Sequence, residues 1–207
     1  MRKKHLLGTA LLILAAACAK YMIVPPAVNL LDYGDIGLVT FQVENAKGEL
    51  DTLGTQLFLQ EVQRTQRVPV VELGKSDEVL ARIGKSAFDL EAAKAIGEEY
   101  GIHAVFMGDI KISKVKPQVD LIGALGDGVA MRAKFDIFVT GRLISTETGA
   151  TLWTESTERQ GTVGLFSMGP DQVPYFGLRD KNEAMNNLLR EIMYRLTWDF
   201  RPTRQRI

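Results

Sequence analysis

The sequence predicts an α/β protein: a mixed β-sheet with a long hairpin in its C-terminal half, covered by helices as an α+β sandwich, in the order β-α-β-α-α-β-β-β-α. Three observations carry this. Period two runs through residues 129–145, with Val129, Met131, Ala133, Phe135, Ile137, Val139 and Leu143 on one face and Arg132, Lys134, Asp136, Thr140 and Arg142 on the other. Helical apolar stripes occupy residues 47–66 and the stretch from Met185 to Leu196. In the N-terminal half, β-rich and helical runs alternate, the pattern of a sheet with helices packed on it.

The chain begins with Met1-Arg2-Lys3-Lys4-His5, an apolar run over residues 6–17, and then Cys18. A basic head, a short apolar core and small residues before a cut site form a secretory signal. The run is too short to span a bilayer, which needs roughly 20 residues. Cys18 is the only cysteine and follows Ala15-Ala16-Ala17 directly. That context predicts a lipoprotein signal over 1–17, cut before Cys18, whose thiol carries acyl lipid, palmitate included. The usual pattern has Leu three places before the Cys; here Ala15 holds that place and Leu14 lies one earlier. A lone thiol excludes an internal disulfide framework. Ala19, where Asp would favour inner-membrane retention, points to the periplasmic face of an outer membrane. Residues 18–34, with Pro25-Pro26, read as an extended lipidated tether.

A single domain over 35–200 follows. Residues 35–43 form a strand with apolar side chains on both faces, hence interior. Residues 47–66 carry Leu50, Leu53, Leu57, Phe58 and Val62 on one helical stripe, with Gly54 marking close contact with the sheet. Residues 67–73 form a strand that Pro69 confines to an edge. Ser76 caps a short helix stopped by Gly84, and Asp89 caps another stopped by Gly101. Residues 102–112 are a buried strand. Thr146-Glu147-Thr148-Gly149 turns the 129–145 strand into a second one over 150–163. Residues 164–179 read as a loop, Asp180 with Glu183 resembles a capping box, and Met185, Leu188, Leu189, Ile192, Met193 and Leu196 form an amphipathic helix. Residues 201–207 read as a flexible basic tail.

Charge excludes one class of partner. The chain has 25 basic and 25 acidic residues; three basic and no acidic residues lie in 1–17, so the remainder carries 22 against 25, net −3. Nucleic-acid binders concentrate positive charge instead. No catalytic set emerges. Beyond the leader the sole histidine is His103, placed in the predicted buried strand and read as structural. Ser167 misses the G-x-S-x-G elbow, and Gly123-Ala124-Leu125-Gly126-Asp127-Gly128 lacks the Lys and the following helix of a phosphate loop. His and Cys are too few for a zinc site. The adjacent carboxylates Asp77-Glu78 and Glu98-Glu99 point apart on helix surfaces. No cofactor is expected.

Taken in order, these elements resemble the CsgG family of outer-membrane lipoproteins, named for the curli secretion channel, with its relatives of the PelC and LpoB types. The likeness rests on Cys18, the first strand and helix, Val70-Val71-Glu72 with Glu78-Val79-Leu80, and Ala92-Ala93 leading into Tyr100-Gly101-Ile102-His103-Ala104-Val105-Phe106-Met107-Gly108-Asp109-Ile110. The turn Thr148-Gly149-Ala150-Thr151-Leu152-Trp153 completes it. It covers roughly residues 33–163. The resemblance implies a non-catalytic homo-oligomer that docks onto other envelope proteins in secretion or assembly, or alternatively a regulator that activates a cell-envelope synthase. Channel-forming members insert two long hairpins. Here residues 113–128 and 161–177 are broken by Pro117, Pro170, Pro174 and many glycines, so a periplasmic, non-barrel member is expected. Exposed apolar side chains at Leu165, Phe166, Tyr175 and Phe176 are the candidate partner contacts.

Overall fold

The computed structural model describes residues 21–113, 116–119, 131–164, 167–168, 174–176 and 183–206. Its centre is a mixed sheet. β2 (Ile36–Val39) pairs in parallel with β5 (Val70–Gly74) on one side and β6 (Ala104–Ile112) on the other. β6 runs antiparallel to β8 (Met131–Ser145), which pairs along its far side with β9 (Thr151–Gly164). β3 (Gln42–Glu44) and β7 (Lys116–Val119) extend the rows beside β6 and β8. The expected α/β architecture is therefore the observed one.

Period two on the strands divides the side chains between two cores. Ile36, Leu38, Ala104, Phe106, Ile110, Phe135, Ile137, Val139 and Leu143 face α1 (Leu50–Thr65) and α4 (Glu183–Leu196). Val39, Val105 and Ile144 face α2 (Ser76–Arg82) and α3 (Leu90–Tyr100), where Val79 and Ile96 close a smaller core. Two helices per face make a three-layer sandwich.

A chain of rings runs through the larger core. Phe41 meets Phe58 at 5.2 Å between centroids, Phe58 meets Phe106 at 5.1 Å, Phe106 meets Phe200 at 5.8 Å, and Phe200 meets Trp153 at 4.7 Å. These are tilted or edge-on contacts of the kind ring quadrupoles favour. The chain explains why the strand expected over 35–43 is split. The amide of Phe41 donates to Thr55 Oγ1 at 2.8 Å instead of joining the ladder. Leu38 pairs with Phe106 and Gln42 with Asp109, so one extra residue is taken up between β2 and β3. This bulge swings the Phe41 ring inward over Gly108, where any Cβ would collide with it.

Several local expectations hold. Asp89 caps α3 by accepting from the Ala92 amide at 2.8 Å, and Gly101 ends it in the left-handed region at φ 66. Gly54 lies where a Cβ would strike Ile110. β5 is an edge strand, entered directly after Pro69. Ser76 differs: it is the first helical residue, Lys75 holds the cap position, and no side chain caps that end. The stretch 113–128, expected as a loop, contains β7, which pairs through Lys116–Val119 with the start of β8. Asp180 lies outside the described residues.

The largest departure lies at the two ends. Residues expected as a tether form β1 (Tyr21–Val24), and the expected loose tail forms β12 (Thr203–Arg206), antiparallel to it. The stretch following β1 is also anchored: a 3-10 turn over Leu30–Tyr33 buries Leu30 fully. The side-chain amide of Gln66 joins the two ends. Gln66 Oε1 accepts from the Leu30 amide at 2.7 Å, and Nε2 donates to Val28 O at 2.8 Å and to Phe200 O at 2.9 Å. The Val28 amide donates to Asp199 O at 3.1 Å. Replacing Gln66 with Leu strands three backbone groups, each costing about 1–3 kcal/mol when buried and unpaired. Chemical denaturation is expected to show Gln66→Leu less stable by about 3 kcal/mol.

Candidate partner-binding surfaces

The residues singled out in the sequence are only partly brought together. Cys18, Leu165 and Phe166 lie outside the described residues. Tyr175 and Phe176 lie in β11 (Pro174–Phe176), which pairs antiparallel with β10 (Ser167–Met168) and parallel with β4 (Lys47–Gly48). Tyr175 is in register with both Ser167 and Lys47. The 164–179 stretch, expected as a loop, thus contributes two short strands to a small sheet beside the start of α1.

His103 is not buried. It precedes β6 by one residue and its side chain is 62% exposed, with Nδ1 3.3 Å from Glu147 Oε1. The backbone there is what the fold holds: the Thr146 amide donates to His103 O at 3.0 Å, and Thr146 Oγ1 donates to Ile102 O at 2.6 Å. The apolar run was read correctly, but the side chain at its second position, after the buried Ile102, turns outward. Asp77, Glu78, Glu98 and Glu99 are exposed on their helices as expected. Among the described residues no group of three or more His, Cys, Asp or Glu side chains could hold a metal ion.

The most developed surface is one the sequence reading missed. β9 pairs with β8 alone among the described strands, so its outer edge presents unpaired backbone groups over a 14-residue strand. Along that edge, α4 leaves an open groove of about 750 Å³ lined by Glu155, Thr157, Arg159, Tyr194, Arg195 and Trp198. Tyr194, off the buried stripe of α4, and Trp198, which opens the 3-10 turn Trp198–Phe200 after that helix, meet edge-on at 5.9 Å. Trp198 is 49% exposed. Their four-residue spacing, off the apolar stripe and running past the helix end at Leu196, was the available signal.

Charged side chains fix the groove's walls. Arg159 Nε donates to Glu191 Oε1 at 3.2 Å, and Arg195 Nε reaches the same oxygen at 3.2 Å. The hydrogen bond from Arg159, aided by the charges of Arg159 and Arg195, holds the Glu191 carboxyl below its ordinary value. At the other end, Arg201 lies 4.0 Å over the Tyr194 ring, donates to Tyr194 O at 2.7 Å and pairs with Glu61 at 2.6 Å. Burial lowers the Arg201 pKa and Glu61 opposes that shift, so the guanidinium stays charged. This surface combines an open strand edge with exposed aromatics and charges on its rim, the features protein–protein contacts use.

The class defined by this fold is an α/β sandwich with one long open strand edge. No protein-family model matches the chain, and no curated protein matches it. Solved structures similar to it include the PelC dodecamer from Paraburkholderia phytofirmans, at 10% identity and TM-score 0.49, covering 89% of this chain and 99% of that one. Lipoprotein GNA1162 from Neisseria meningitidis is similar at 14% identity and TM-score 0.40, covering 75% and 92%. The LpoB C-terminal domain from Salmonella enterica is similar at 10% identity and TM-score 0.38, covering 66% and 84%. Likenesses of this depth assign no family to the chain, and membership of the CsgG family is not shown.

A depressed carboxylate pKa stabilises the fold above the unfolded value and loses that contribution as pH falls through the folded one. Carboxyl-resolved NMR titration is expected to place Glu191 below the ordinary glutamate range, and Arg159→Gln to raise it toward that range.

Proposed function

We propose that this chain is a lipid-anchored protein of the bacterial envelope, held by Cys18 at the periplasmic face of the outer membrane. There it serves as a non-catalytic, oligomeric component of a secretion or assembly system. The anchor reading is supported by the basic head, the apolar run and the lone thiol after three alanines. The assembly reading is supported chiefly by the open β9 edge and its aromatic groove. A second copy fits that edge. Antiparallel pairing of two β9 strands about Thr157 sets Glu155 of one copy opposite Arg159 of the other, twice over, and cross-strand opposite charges stabilise such pairs. The resemblance of the ordered motifs to the CsgG family points the same way.

The alternative, a regulator reaching across the cell wall to an inner-membrane synthase, is disfavoured by reach. With the chain in β1 from Tyr21, only residues 18–20 separate the lipid from folded structure, spanning at most about 10 Å.

Mass spectrometry of the protein purified from membranes is expected to show an N-terminus at Cys18 carrying acyl groups, and Cys18→Ser to leave the protein without lipid. An unmodified thiol or an intact leader defeats the anchor. Light scattering of the detergent-extracted protein is expected to show more than one copy per particle. Arg195→Glu, at an exposed groove residue, shifts that population toward monomer while changing the melting temperature by no more than a few degrees. If the wild-type chain is monomeric at every concentration and brings down no envelope protein, the assembly role fails.

A further inference from the structure

The β1–β12 ribbon is hard to explain as a structure facing water. It is two strands wide, and an isolated two-stranded ribbon is marginal in water without a covering layer. Yet it exposes large apolar side chains: Tyr21 is 61%, Met22 50% and Ile23 69% exposed. Its register sorts them. Tyr21 lies opposite Arg206 and Ile23 opposite Arg204, so one face alternates an aromatic and an aliphatic side chain with two arginines. The opposite face carries Met22 with Gln205, and Val24 with Thr203.

Two further observations identify what covers this face. Tyr21 follows Cys18 by three residues, so the ribbon cannot lie more than about 10 Å of chain from the proposed lipid. Charge is also segregated. Residues 19–31 and 200–207 contain Lys20, Arg201, Arg204 and Arg206 and no acidic residue, in a chain that is net −3 beyond its leader. Arg201 is engaged by Glu61, whereas Arg204 and Arg206 are exposed. Aromatic and aliphatic side chains beside arginines, with no carboxylate, are the composition that settles at the headgroup level of a bilayer.

We infer that the Tyr21, Ile23, Arg204, Arg206 face of the ribbon lies on the anionic lipid surface of the same bilayer that holds the anchor. The side chains of Tyr21 and Ile23 sink to the acyl boundary, and the two guanidinium groups meet lipid phosphates. The Gln66 clamp then transmits that contact to the sandwich, so the folded body keeps one orientation relative to the membrane. This inference rests on the anchored reading for its location but not for its chemistry, and the two can fail separately.

The test uses the full chain with Ile23→Cys, on the proposed contact face, as its one free thiol once Cys18 is acylated, labelled with an apolar environment-sensitive dye. In vesicles of phosphatidylglycerol and phosphatidylcholine, the emission is expected to shift blue and to be quenched by lipids carrying a quencher near the headgroup. Arg204→Glu with Arg206→Glu abolishes the quenching while the lipid keeps the protein on the vesicle. Arg204→Lys with Arg206→Lys retains it. An unchanged denaturation midpoint confirms that each variant is folded. The unlipidated chain from residue 18 onward, carrying Cys18→Ser and lacking the apolar leader, gives a separate reading: it floats with phosphatidylglycerol vesicles in a salt-sensitive manner, and charge reversal weakens that binding by at least about thirty-fold. A dye that stays water-exposed on both vesicle types, or quenching indifferent to charge reversal, overturns the inference. An unmodified Cys18 with salt-sensitive flotation intact defeats the anchor and leaves the ribbon's contact standing.

Discussion

The two ends of this chain are held by one side chain. Gln66 follows α1 and is only 8% exposed, and its amide satisfies two carbonyls and one amide drawn from residues 28, 30 and 200. An amide group has acceptor and donor atoms on one rigid plane, so it can bridge segments that share no ladder. Without it, Leu30 and Phe200 would bury apolar surface only by leaving backbone groups unpaired beside it, and the loss would cancel much of the gain. Phe200 touches both Phe106 and Trp153, and Trp153 Nε1 donates to Asp199 Oδ2 at 3.2 Å. The clamp therefore ties the approach and exit of the chain to the central ring cluster, not to the surface alone.

From that constraint the distribution of surfaces follows. The sheet is sealed on both faces by helices, and its β5 edge is short, with Pro69 directly before it. The β9 edge is long, and the single helix beside it leaves Tyr194 and Trp198 partly in solvent. Charged residues on an edge strand usually serve to repel a second strand. Here Glu155 and Arg159 have opposite signs and sit symmetrically about Thr157, which favours an antiparallel copy of the same strand while penalising most other strands. An edge of this kind is selective, as the proposed pairing of copies requires.

How much of this was legible in the sequence depends on the range of the interaction. The long hairpin was visible because period two persists over β8 and its turn is local; the Asp89 cap and the left-handed Gly101 were visible for the same reason. Gly54 and Pro69 each mean one thing in their context, and both kept that meaning. The β1–β12 pairing was invisible because its two strands lie about 180 residues apart and neither is alternating or long. The split between β2 and β3 was hidden because Phe41 looks like one more apolar strand residue until Thr55 takes its amide. His103 shows the limit of reading by runs: an apolar neighbourhood predicts a buried backbone, while the direction of a side chain just before the strand begins depends on the turn packed beside it. Of the proposed partner face, Tyr175 and Phe176 were placed in a short strand, whereas Tyr194 went unread because the buried stripe of its helix dominated the pattern, and Trp198 because it lies in the turn beyond that helix.

The ribbon and the proposed lipid perform different tasks. Several acyl chains on one residue hold a protein to a bilayer without further help, so two arginines and two apolar side chains add little to residence. What acyl chains cannot do is fix direction, because single bonds alone join an acyl group to the residue that carries it. A contact face three residues from the anchor removes that freedom at small cost, since the chain there is already ordered by pairing and by the Gln66 clamp. Orientation matters most for a subunit that assembles beside its copies. Partners confined to one plane and turned the same way meet with their β9 edges at a common height, so the search for a productive encounter loses most of its rotational dimensions. In the proposed arrangement, the exposed tyrosine and isoleucine set the geometry of assembly and not its strength.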